Sequence, residues 1–88
     1  MINLRLFISG RSKATDESIQ LLKGICEREL RGEYELEIID ATKNPELALT
    51  DQIIATPTLL RKLPPPLRSV IGRLTEEKII EALELKPR

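Results

Sequence analysis

Hydrophobic and polar positions change period five times along the chain. Residues 2–9 alternate, with Ile2, Leu4, Leu6 and Ile8 set against Asn3, Arg5, Phe7 and Ser9. A period of two predicts a strand, and Phe7 among the polar positions predicts partial cover on its second face. Gly10 ends the run. After a polar connection, Ile19, Leu22, Ile25, Cys26 and Leu30 recur at helical spacing, with Leu21 to one side. Thr15 is the expected N-cap of this helix, Asp16 and Glu17 suit its positive end, and Gly32 suits the left-handed residue past its C-terminus. Alternation returns at Tyr34, Leu36 and Ile38 against Glu33, Glu35 and Glu37, which predicts a strand with one polar face.

The second half reads in the same way. Asn44 and Pro45 open a helix as N-cap and first helical residue, with Leu47, Ala48, Ile53 and Ile54 as its expected buried side. "TPTLLRKL" and "LRSVIGRL" read as two strands around Pro64, Pro65 and Pro66. Thr75 caps a last helix whose apolar stripe is Ile79, Ile80, Leu83 and Ala82, and Pro87 stops it. The order is β-α-β-α-β-β-α. Two strands joined by a helix are expected to be parallel with a right-handed crossover, and two joined by a short turn antiparallel. That combination is the thioredoxin-like arrangement, a mixed four-stranded sheet with helices on both faces. All 88 residues are expected to form one domain.

Composition narrows the function. Fourteen basic residues balance fourteen acidic ones, and the aromatics are Phe7 and Tyr34 alone. Neither a cationic surface nor a base-stacking platform is expected, so nucleic acid is not an expected partner. No apolar run reaches the roughly 20 residues of a membrane span, and the N-terminus does not read as a signal peptide. One cysteine and no histidine leave no metal constellation and no intrachain disulfide, which favours the cytoplasm.

A thioredoxin-like order invites a redox reading, yet the loop after the first strand, "SGRSKATDES", has no cysteine. Cys26 falls late on the apolar side of the first helix, where a small core residue is expected. Ser9 and Ser12 have no base to activate them, and the glycines form no phosphate-cradling loop. No catalytic residue, cofactor or metal is therefore expected. Arg61, Lys62, Arg68 and Arg73 surround the proline hairpin, either to keep an edge from aggregating or to dock an acidic partner surface.

The stretch "YELEIIDATKNPELALTDQIIATPTLLRKLPPPLRSVIGRL" resembles the core of the KaiB family, and "LRLFISG" is similar to that family's first strand. The resemblance implies a non-enzymatic clock protein that binds the N-terminal ATPase ring of KaiC. It also implies two interconverting folds: a ground state, usually tetrameric, and a thioredoxin-like state that binds the partner. Thr56-Pro57 then corresponds to the cis-proline of thioredoxin-like folds, and Pro64, Pro65 and Pro66 connect the two halves of the switching region. X-Pro bonds isomerise slowly, which suits a slow exchange.

Departures from the family pattern refine the expectation. Glu35 and Glu37 stand where members usually carry basic or small residues on a partner-facing strand. Arg73 replaces an aspartate. Ala82 and Glu84 stand where glycine and aspartate are common, and both favour a C-terminal helix, by about 1 to 1.5 kcal/mol together. The expected protein is a largely monomeric KaiB-like binding module in its thioredoxin-like state. Its partner-facing residues would be Glu35, Glu37, Arg61, Lys62, Arg68 and Arg73. The alternatives are the tetrameric ground-state fold, a redox or stress-response protein acting through Cys26, and a detached sensory domain like that of SasA.

Overall fold

A computed structural model describes residues 1–83. The elements follow the predicted order: β1 (Ile2–Ile8), α1 (Lys13–Leu30), β2 (Tyr34–Asp40), α2 (Pro45–Thr50), β3 (Thr58–Leu63), β4 (Arg68–Ile71) and α3 (Glu76–Leu83). They form one four-stranded sheet in the order β2-β1-β3-β4. β1 runs parallel to β2, with Leu4 opposite Leu36 and Arg5 opposite Glu37. β3 is antiparallel to β1 and to β4, so β2 and β4 are the edges. Among the described residues no helix is long and apolar enough to cross a membrane.

Alternation divides the strands between two faces. Leu4, Leu6 and Ile8 of β1 and Leu59 of β3 join Ile19, Leu22, Ile25 and Cys26 of α1 and Ile79, Ala82 and Leu83 of α3 in the main core. The opposite face carries a smaller cluster, Phe7, Ile39 and Leu60, with Ala41, Ala48 and Ile53 packed on it. Phe7 is fully buried, so the cover predicted for the second face is present and complete at that position.

Helix ends differ from the sequence reading in instructive ways. α1 begins three residues early, because Ser12 rather than Thr15 is the N-cap: the Ser12 hydroxyl accepts from the Thr15 amide at 3.1 Å. Its C-terminus uses two left-handed residues, Arg31 at φ 52° and Gly32 at φ 82°. The Arg31 amide returns to the Glu27 carbonyl. Thr75 caps α3 as expected, accepting from the Lys78 amide.

α2 departs most. It is only six residues long and buries none of its side chains. Of the expected buried set, Ala48 and Ile53 are half-buried, but Leu47 and Ile54 are exposed, Ile54 by 85%. The helix stops at Thr50 and Gln52 turns left-handed at φ 59°, so Ile53 faces the sheet and Ile54 turns away. Asn44 precedes the helix without capping it, its side-chain amide donating to the Asp40 carbonyl instead.

Candidate functional site

Three of the six residues expected to face a partner meet on the second face of the sheet. Glu35, Glu37 and Lys62 line a shallow groove of about 400 Å³ together with Asn3, Arg5 and Leu63. The strand register explains the meeting: Glu37 lies opposite Arg5 on β1, and Lys62 follows Leu60, which lies opposite Arg5 on its other side. Arg5 therefore stands between an acidic edge strand and a basic inner one.

The charges are ordered into a chain across three strands. Arg5 grips one Glu37 oxygen with two donors, Nε at 2.9 Å and Nη2 at 2.8 Å. Its Nη1 reaches Asp51 Oδ2 at 2.9 Å, and Lys62 Nζ reaches the other Asp51 oxygen at 3.0 Å. The Asp51 side chain is only 8% exposed. Burial works to raise its carboxyl, but the hydrogen bonds from Lys62 and Arg5 outweigh that and hold it below the ordinary carboxylate value. Glu37 is 60% exposed even while paired, so its outer oxygen faces solvent beside Glu35.

The remaining residues do not join that groove. Alternation along β3 sends Arg61 to the face opposite Lys62, where it is 1% exposed beneath the hairpin. Its guanidinium donates to the Pro66 carbonyl at 2.9 Å and to the Ala82 carbonyl of α3 at 3.3 Å. The expectation that Arg61 belongs to a docking surface is corrected: in this fold it is buried and fastens the proline turn to the Ala82 carbonyl of α3. Arg68 lies exposed on edge strand β4. Arg73 lines a separate cavity of about 530 Å³, with Ser9, Thr15, Ser18, Leu21, Thr56 and Pro57 among its walls. The expected basic cluster is thus dispersed over the molecule.

Pro64, Pro65 and Pro66 lie exposed between β3 and β4. The bonds before Pro57, Pro64 and Pro66 are cis, where the resemblance implied only the first. Ala82 is buried in the main core, and Glu84 lies outside the described residues, as does Pro87. Cys26 has no exposed surface, and burial, helped by the nearby Glu27 charge, pushes its thiol up to about 11. A buried neutral thiol is a poor nucleophile. Among the described residues no group of three or more potential ligands is placed to hold a metal ion.

Sequence reasoning missed Arg5 and Asp51. Arg5 counted only as a polar position of β1, and Asp51 only as part of the family resemblance. The split between Arg61 and Lys62 was available, since adjacent strand residues point to opposite faces.

Solved structures resemble this architecture. The N-terminal domain of SasA from Synechococcus elongatus superposes with a TM-score of 0.72 at 21% identity, covering 96% of this chain and 74% of that one. Chloroplastic thioredoxin z gives 0.74 at 21% identity, covering 96% and 76%. At that identity the likeness establishes the thioredoxin-like fold. In sequence, the chain is 45% identical over 83 residues to the circadian clock oscillator protein KaiB1 of Synechocystis sp., covering 93% of this chain and 79% of that relative. It is equally similar to the circadian clock oscillator protein KaiB of Microcystis aeruginosa, with 93% and 80% covered. The KaiB domain model matches residues 5–84, nearly the whole chain, and on that match and those identities the chain belongs to the KaiB family.

Proposed function

We propose that this chain is a non-enzymatic binding module of a circadian clock or a related signalling system, and that it docks a KaiC-type ATPase ring through β2 and the groove beside it. The observation that carries this reading is the juxtaposition of Glu35, Glu37 and Lys62 around one groove next to an edge strand, in a member of the KaiB family. Edge strands present unpaired backbone groups to a partner, and flanking charges select which partner is accepted. The buried, neutral Cys26 thiol speaks against the redox alternative. In this fold the module acts as a cytoplasmic monomer, and the homotetramer belongs to the alternative fold.

Binding of the purified chain to the N-terminal ring of a cyanobacterial KaiC, followed by calorimetry, tests the reading. Glu35→Lys is the informative variant. Glu37→Lys would also place a cation against Arg5, whereas Glu35 lacks that partner. Because the family resemblance implies basic or small residues there, Glu35→Lys is expected to strengthen binding to the cyanobacterial ring. The gain should shrink with added salt, since exposed charges are screened over about 8 to 10 Å. No binding by either protein removes the KaiC-type partner, and equal binding removes this face from the interface.

A further inference from the structure

The second face of the sheet is roofed by a single short helix, and the roof is fastened more by charge than by packing. α2 has no buried side chain, and Leu49 and Ile54 beside its end are 80% and 85% exposed. Of residues 45–54, Ala48 and Ile53 rest on the cluster below. That cluster, Phe7, Ile39 and Leu60, is buried and separate from the main core. At the end of the helix stands Asp51, whose two oxygens each take a cation from a neighbouring strand, Arg5 of β1 and Lys62 of β3. One carboxylate thereby pins the helix end to two strands. The turn that follows is closed by Gln52 N–H to the Leu49 carbonyl at 3.0 Å and Ile53 N–H to the Ala48 carbonyl at 2.8 Å. It holds Gln52 left-handed, a conformation disfavoured for a residue with a side chain.

We propose that Asp51 is a latch: residues 45–54 open from the sheet as a unit, the Arg5–Asp51–Lys62 bridge holds them shut, and opening bares Phe7, Ile39 and Leu60 while the main core stays closed. The free energy of a local opening is set by the apolar surface it exposes and the bonds it breaks. Here that is two half-buried apolar side chains with the three-residue cluster beneath them, and two charge-assisted hydrogen bonds, which are strong when partly desolvated. Release strands no buried charge. Arg5 keeps its two-donor grip on Glu37, and Lys62, 38% exposed, returns to water. The turn hydrogen bonds lie within the segment and travel with it. Opening therefore costs less than unfolding the sheet, and it uncovers an apolar surface that the closed molecule conceals.

Two thiols, one under each roof, test the latch. Cys26 reports on the main core, and Leu60→Cys places a second thiol beneath α2. The folded protein is treated with iodoacetamide in native buffer, and labelling at each position is followed by peptide mass spectrometry. Adding Asp51→Asn is expected to accelerate labelling at position 60 by about 10- to 100-fold, the range for losing hydrogen bonds to a charged group. In both proteins position 60 should label faster than Cys26, each rate taken relative to that of the urea-unfolded chain, because Cys26 waits for global unfolding. Equal relative rates at the two thiols, or no acceleration at position 60, overturns the proposal. Should that combination fail to fold, Lys62→Met, which leaves Arg5 on Asp51, is combined with Ile39→Cys, a second position in the covered cluster. The thiol at position 39 then labels faster than in Ile39→Cys alone, and faster than Cys26. No acceleration at position 39, or a relative rate equal to that of Cys26, overturns it equally.

Discussion

The two faces of the sheet are built from alternate residues of the same strands, yet they are closed by different means. On the main face α1 and α3 lay continuous apolar stripes across β1 and β3, and every methylene removed from water adds to one cluster. On the second face a six-residue helix covers three buried side chains, and a carboxylate between two cations completes the attachment. The difference teaches how one small sheet can hold both a rigid half and a yielding half. Dispersion and hydrophobic burial accumulate with area, whereas ion pairs repay much of their gain as desolvation and can exchange partners.

The largest effect should separate the faces by core deletion. Leu22→Ala, fully buried on α1, is expected to lower global stability by about 3 kcal/mol, within the usual range for core leucines. Ile53→Ala, half-buried under the turn after α2, should cost about 1 kcal/mol, since less apolar surface is returned to water. Urea unfolding followed by circular dichroism measures both. Equal losses would mean that the second face is a core of the same rank.

Arg61 sharpens the comparison from the other side, because it is the polar group of the main face. Arg61→Ala leaves the Pro66 and Ala82 carbonyls without their donor and is expected to cost about 2 to 3 kcal/mol. Arg61→Met restores the apolar stem and should recover about 1 kcal/mol of that loss. A loss within about 0.5 kcal/mol for the alanine variant would show that the guanidinium contributes nothing net, as surface charges commonly do.

The smallest effect is a pH dependence confined to the second face. The Asp51 carboxyl is depressed in the folded protein, because Lys62 and Arg5 outweigh the opposing effect of burial. Its stabilisation is therefore complete above the unfolded value of about 3.9 and is lost as pH falls through the lower folded value. Between pH 5 and 2 the unaltered chain should lose about 1 to 2 kcal/mol more stability than Asp51→Asn, an amount typical of hydrogen bonds to a charged group. Asp40, likewise depressed, first by the Thr42 hydroxyl, is common to both proteins and cancels in the difference. Parallel curves for the two proteins would remove Asp51 from the attachment.

Local patterning was enough for the elements and for the main core. Ile2, Leu4, Leu6 and Ile8 alternate within one strand, and Ile19, Leu22, Ile25 and Cys26 repeat within one helix, so each stripe carries its own period and can be read without knowing its neighbours. The same logic failed for α2, where Leu47 and Ile54 look like part of a stripe but are turned outward by a helix that stops at Thr50. A turn at Gln52, a residue with no special preference for left-handed backbone, leaves no local signal.

The candidate groove divides along the same line. Glu35 and Glu37 were legible as one polar strand face, and Lys62 as a basic position near the hairpin. What the tertiary structure alone decided is which cation meets which carboxylate. Arg5, Asp51 and Lys62 lie 46 and 11 positions apart in the pairs they form, and they meet because β3 inserts beside β1 and the turn after α2 sets Asp51 over both. By itself the sequence determined the family, the order of elements and the apolar stripes, since periodicity is a local property of a chain. A charge carries no label for its partner, so its pairing and its depth of burial wait on strand order and register, and those exist only once the sheet has formed.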